Sequence, residues 1–144
     1  MMEGRVLALD YGQKRTGLAI TDPDRKFAFP LETVPTHQLE SFLKSYVIEN
    51  GVIAFVLGEP KDLRNRPSSI APKVDAFLKK LSSWFPGFPV YRIDERFSST
   101  MATQSIIDSG VSKKGRRDKG LVDVTSATIL LQSWIAAEEW RKTS

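Results

Sequence analysis

Cysteine is absent from this 144-residue chain, and histidine occurs once, at position 37. Without thiols there is no disulfide, no thiolate zinc site and no cysteine nucleophile. A solitary imidazole near an expected helix start reads as a surface residue rather than as part of a triad or a multi-histidine metal site. Any metal must then be held by oxygen, which favours Mg²⁺ or Mn²⁺. Long hydrophobic runs are also missing, every one falling far short of the ~20 residues that span a bilayer. Met1-Met-Glu-Gly-Arg5 leads straight into a strand pattern, without the basic start, apolar stretch and small-residue cleavage site of a secretory leader. The expected location is therefore cytoplasmic, with no membrane partner. No repeat, linker or low-complexity segment breaks the chain, and a single domain over residues 1–144 is expected.

Basic residues outnumber acidic ones by 21 to 17, a net charge of +4 that suits a polyanionic partner. Residues 5–10 and 16–21 alternate as two strands joined by Tyr11-Gly-Gln-Lys-Arg15, a turn in which Gly12 permits a tight reversal. A third strand is expected over residues 26–34, with Pro30 placing it at an edge or a bulge. Leu39, Phe42, Leu43, Tyr46 and Val47 fall at helical spacing, and Asn50-Gly51 supplies a stop. Residues 52–57 form a continuous apolar strand, residues 58–69 a basic, turn-rich loop, and residues 70–84 a second amphipathic helix. A strand over 89–94 follows, then a helix from Ser98 or Ser99 to Asp108, a basic loop over 111–120 and a last helix from about Leu121 to Arg141. The order βββαβαβαα, an antiparallel start followed by crossovers, implies an α/β fold with a mixed five-stranded sheet flanked by helices. Trp84, Trp134 and Trp140 are expected to pack or to lie partly exposed along helices rather than to serve as base-stacking platforms.

Three carboxylates sit at apolar places. Asp10 ends the first strand, Glu95 follows the strand ending at Asp94, and Asp123 interrupts the apolar start of the last helix. Desolvating a carboxylate is costly unless something cationic meets it. Open α/β sheets put their sites at the carboxyl ends of strands, where Asp10 and Glu95 fall. Asp123 can join them if Ser126 and Ala127 let the last helix approach the sheet closely. Such a trio wants one or two divalent ions and suits in-line attack of water on a phosphodiester. Each residue also has an ordinary reading: Asp10 as a turn former, Glu95 paired with Arg92 or Arg96, Asp123 at a helix amino end. Around the trio, Lys14, Arg15, Arg96, Lys113, Lys114, Arg116 and Arg117 are the candidate phosphate-binding residues. No Gly-x-Gly-x-x-Gly or Walker lysine motif supports a nucleotide-binding protein.

Asp10-Tyr-Gly-Gln-Lys-Arg-Thr-Gly17, Asp94-Glu-Arg-Phe-Ser-Ser99 and Val122-Asp-Val-Thr-Ser-Ala127 together resemble the three motifs of the YqgF/RuvX family, in order and spacing along essentially the full chain. The resemblance implies an RNase H-like fold, with Asp10, Glu95 and Asp123 as the catalytic and metal-binding positions. Members of that family are described as Holliday junction resolvases and as nucleases that trim the 5′ end of pre-16S ribosomal RNA. Where many of them carry Gly-Leu-Pro this chain has Gly58-Glu-Pro60, and the loop that follows differs from theirs. The expectation is a Mg²⁺- or Mn²⁺-dependent nuclease in ribosome biogenesis, acting on pre-rRNA, with ribosomal particles as partners. Holliday junction resolution on branched DNA is the alternative within the enzyme class, and a catalytically weak nucleic-acid- or ribosome-binding domain is the alternative outside it. An actin-like ATPase shares the first hairpin but needs a second lobe and a second phosphate turn, which this chain lacks.

Overall fold

A computed structural model describes residues 4–60, 69–94 and 119–143. Apolar alternation at the start of the chain produces β1 (Arg5–Asp10) and β2 (Arg15–Thr21), an antiparallel hairpin, and β3 (Ala28–Pro35) continues the meander. As expected of a proline-bearing strand, β3 lies at the sheet edge, and its register with β2 shifts between Leu18 and Ala19, where Pro30 pairs. A 3-10 turn (Thr36–Gln38) enters α1 (Leu39–Asn50), which ends on Gly51 in the left-handed region, φ 66°. Next come β4 (Val52–Glu59), α2 (Ala71–Trp84), β5 (Val90–Asp94) and, after residues 95–118, α3 (Lys119–Thr143).

The sheet has the order β3-β2-β1-β4-β5, with β4 parallel to β1 and β5 parallel to β4. This is the mixed five-stranded sheet expected from the sequence. Several boundaries move by one or two residues, and two of them redraw the loops. Gly58 and Glu59 belong to β4 rather than to the loop, because Gly58 pairs with Ile93 and Glu59 with Asp94. Likewise Lys119 and Gly120 open the last helix instead of closing the basic loop. The helix expected to end at Asp108, residues 61–68 of the first loop and residues 111–118 of the second lie outside the described residues.

Alternation gives the sheet two chemically different faces. On one, Leu7, Leu9, Leu18, Ile20, Phe55 and Leu57 bury against Leu39, Leu43 and Val47 of α1 and Val74, Phe77 and Leu81 of α2. Burying each such side chain contributes about 1.5–3 kcal/mol. On the other, Val6, Ala8, Ala19, Ala54 and Val56 meet Ala127, Leu131 and Trp134 of α3. Short side chains here let α3 lie close across the sheet. Among the described residues no helix is long and apolar enough to cross a membrane.

Candidate active site

Asp10 continues the face that carries Val6 and Ala8, so its position lies on the α3 side at the carboxyl end of β1. Directly opposite it in the ladder stands Gly17. A Cβ on Gly17 would lie 2.1 Å from the Asp123 carbonyl oxygen and 2.9 Å from the Val124 nitrogen, so the backbone of α3 occupies the space a side chain would fill. Residues opposed in an antiparallel ladder have Cα atoms about 4.5–5.5 Å apart. One glycine thus separates the strand that carries Asp10 from the helix turn that carries Asp123. Both carboxylates belong to half-buried residues, and the helix beyond Asp123 turns inward through Ser126 and Ala127, each fully buried.

Arg15, which opens β2, donates from Nε to Asp123 Oδ2 at 2.6 Å. Its side chain is 36% exposed and that of Asp123 24%, so this pair is half-solvated and its net stabilisation is within about 1 kcal/mol. Its value is geometric: it fixes the Asp123 carboxylate over the first hairpin. Arg15, a candidate phosphate-binding residue by sequence, is engaged here with an acid of the trio. Lys14, its neighbour at the hairpin turn, is exposed. The turn is anchored from behind, because Thr36 donates from Oγ1 to the Gly12 carbonyl (2.6 Å) and from its backbone N–H to the Lys14 carbonyl (3.0 Å). Thr16, fully buried, meets the same Thr36 hydroxyl at 3.0 Å.

Of the expected trio, the structure therefore brings Asp10 and Asp123 to one end of one sheet face. Glu95 and Arg96 lie outside the described residues, as do Lys113, Lys114, Arg116 and Arg117. The last described residue before Glu95 is Asp94, which ends β5 opposite Glu59 of β4. Among the described residues no three His, Cys, Asp or Glu side chains cluster as a metal set. The donors present, two carboxylates at the end of a sheet, are hard oxygen ligands of the kind Mg²⁺ takes. The Ser126 hydroxyl, one turn beyond Asp123, is buried and unpartnered among the described residues. Sequence reasoning passed over Gly17 and Thr36. A glycine inside a strand signals close approach of another backbone, and that signal was present in Thr16-Gly17-Leu18.

A family model described as "RuvX: Holliday junction resolvase" matches residues 4–137. The chain belongs to the RuvX family. Curated relatives match nearly the whole chain. A protein of Flavobacterium johnsoniae is 47% identical over 136 residues, covering 94% of this chain and 99% of its own length. One from Christiangramia forsetii is 50% identical over 131 residues, covering 91% and 97%. Both carry the name "Putative pre-16S rRNA nuclease". Among solved structures, Thermus thermophilus RuvC in complex with a Holliday junction substrate superimposes with a TM-score of 0.57 at 15% identity, over 94% of this chain and 96% of that one. RuvC from the same organism in a second structure gives 0.54. At such identity the likeness concerns architecture, and it makes the fold of this RuvX member RNase H-like.

Proposed function

We propose that this RuvX member is a metal-dependent nuclease that hydrolyses phosphodiester bonds in the 5′-end processing of pre-16S ribosomal RNA. The observation that carries the reading is the apposition of Asp10 and Asp123 across Gly17, at the carboxyl end of a sheet whose helix-covered face is built from small side chains. The names of the relatives support ribosomal RNA as the substrate.

In this reading Asp10 and Asp123 hold Mg²⁺ or Mn²⁺, with Glu95 as the third ligand on the strength of the family motif. When bound, the ion supplies Lewis acidity toward the scissile phosphate and the attacking water. The chain's own residues do the positioning. Gly17 sets the distance between strand and helix, and Arg15 orients the Asp123 carboxylate while offsetting part of the local negative charge. Lys14, exposed beside them, meets a backbone phosphate of the substrate, a contact that carries no sequence information. Lys113, Lys114, Arg116 and Arg117 extend that contact along the strand.

Four substrates offered with Mg²⁺ test this: pre-16S RNA within a ribosomal particle, model RNA, linear duplex DNA and a four-way junction. The expected result is mapped cleavage at the 5′ end of the pre-16S RNA, abolished by Asp10→Asn. Symmetric incision of the junction alone would transfer the reading to Holliday junction resolution, the activity in the family description. Binding with no cleavage of any substrate would leave a nucleic-acid- or ribosome-binding domain.

A further inference from the structure

On the opposite side of the sheet from α3, a cleft of about 380 Å³ opens between α2 and the segment from Thr36 to Glu40. Its α2 wall repeats along one helical stripe: Lys73, Phe77, Lys80 and Trp84 follow at spacings of four, three and four residues, which brings them onto a single face. Cation and ring thus alternate along the wall. Tyr11, the residue immediately after Asp10, stacks on Phe77 with ring centroids 4.5 Å apart at 17°, and Phe77 meets Trp84 edge-on at 5.8 Å. An unbroken row of rings therefore runs from the residue beside the catalytic aspartate out along α2. Phe77 is buried and supports the other two, whereas Tyr11 and Trp84 are half-buried and line the cleft. Lys73, Lys80 and His37 are exposed around it. The acid in the lining, Glu40, is met by Lys44 Nζ at 2.7 Å, so its charge is already offset. Among the described residues neither lysine forms an ion pair.

Aromatic faces between backbone-neutralising cations are what a single-stranded nucleic acid requires, since every base has a face to stack and every linkage a charge to meet. The volume is that of one small-molecule site, roughly enough for one or two unstacked nucleotides and too small to take a duplex. We propose that this cleft, walled by Lys73, Lys80 and Trp84 and entered past Tyr11, binds the single-stranded flank of the substrate next to the scissile phosphate. The substrate class of this nuclease is then a strand that is unpaired on one side of the cut. The assignment of the cleft to a flank rests on the nuclease reading above; binding of a single strand in the cleft can be measured without it.

The test uses the full chain in EDTA, where no cleavage occurs. Anisotropy of a fluorescein-labelled octauridylate, an abasic strand of equal length and an RNA hairpin is followed across a salt series. The Lys73→Glu/Lys80→Glu pair should lose at least tenfold in affinity for octauridylate and about 1.4 in salt slope, about 0.7 for each of two lost phosphate contacts. An equal charge change at the far end of the molecule, Lys26→Glu/Lys142→Glu, should cost less than threefold. Octauridylate should quench tryptophan fluorescence in the wild type and not in Trp84→Phe, and the abasic strand should bind more weakly than octauridylate. Equal losses in the two charge-reversed pairs, abasic binding as tight as octauridylate, or preference for the hairpin would each overturn the proposal. If the wild type binds octauridylate in the cleft yet cleaves nothing with Mg²⁺, the nuclease reading fails and the single-strand site stands. If it cleaves while Lys73→Glu/Lys80→Glu binds as the wild type does, the reverse holds.

Discussion

The two faces of the sheet are made by the same strands and do different work. Toward α1 and α2 the strands present Leu7, Leu9, Leu18, Phe55 and Leu57, side chains large enough to hold the helices at a distance and to bury much apolar area. Toward α3 they present Ala8, Ala19 and Ala54, and at Gly17 nothing at all, so helix backbone touches strand backbone beside Asp10. Bulk stabilises by area, and a contact between bulky side chains can relax when one is trimmed. Backbone contact has no such slack, which makes the small-residue face the better support for the proposed site, whose function would require groups held to a fraction of an ångström.

The sharpest contrast comes from Asp10→Asn, which preserves size and removes the charge of the aspartate proposed to hold the metal. Cleavage should fall about a hundredfold or more, with an unchanged circular dichroism spectrum and melting curve. Wild-type rates in this variant would mean that the activity belongs to another residue or to a contaminant. Leu43→Ala, on the bulky face, should do the opposite: a loss of about 2–5 kcal/mol in urea unfolding, with cleavage per folded molecule retained. Gly17→Ala tests the backbone contact. Its methyl group would collide with the Asp123 carbonyl, so strand or helix must shift; a stability loss of about 1–3 kcal/mol should accompany at least a tenfold loss in cleavage. Should Gly17→Ala lose stability but not activity, the two faces would not differ in the way described here.

The smallest effect lies far from both. Asp22 closes the turn before β3, accepting from the backbone N–H groups of Lys26 and Phe27 at 2.8 Å and of Asp24 at 3.3 Å. Partial burial pushes its pKa upward, but the backbone donors outweigh that and hold it below the ordinary carboxylate value. A folded-state pKa below the unfolded one stabilises at neutral pH, and this stabilisation disappears as pH falls through the folded value. Asp22→Ala should therefore be less stable than the wild type at pH 7, and the gap should narrow below about pH 4, the ordinary range for Asp. A gap that widens on acidification would reverse the sign of the linkage. Cleavage at neutral pH should be the same in both proteins.

The five strands and the sheet they form were legible because alternation and helical spacing are local signals, and so was the end of α1 at Gly51. Asp10 and Asp123 could be singled out because charge inside an apolar run is conspicuous. The pairing of Arg15 with Asp123 was not legible, since it joins residues 108 positions apart and depends on where α3 crosses the hairpin. Gly58 and Glu59 read as a turn by composition, yet partners on β5 extend the strand through them; propensity yields to tertiary pairing there. Trp84 was expected to pack or to lie partly exposed on its helix rather than to stack on a base. Its place in a row with Tyr11 and Phe77 follows from the meeting of α2 with the end of β1, which no local pattern announces.

The contact between Gly17 and the second turn of α3 also bears on the order in which the molecule comes into being. During synthesis β1, β2 and β3 can pair as soon as they emerge, because hairpins close short loops, whereas α3 must return across 108 residues to reach Arg15. Half of the carboxylate pair arrives with the last helix. Nascent chains stalled before Asp123 should then protect the amides of the β1–β2 hairpin from hydrogen exchange while cleaving no RNA, and cleavage should begin only when α3 docks. Activity in a stalled chain lacking α3 would show that the strands alone suffice. A chain assembled in this order brings its two carboxylates together only when its fold is closed, so an activity that needs both would begin no earlier.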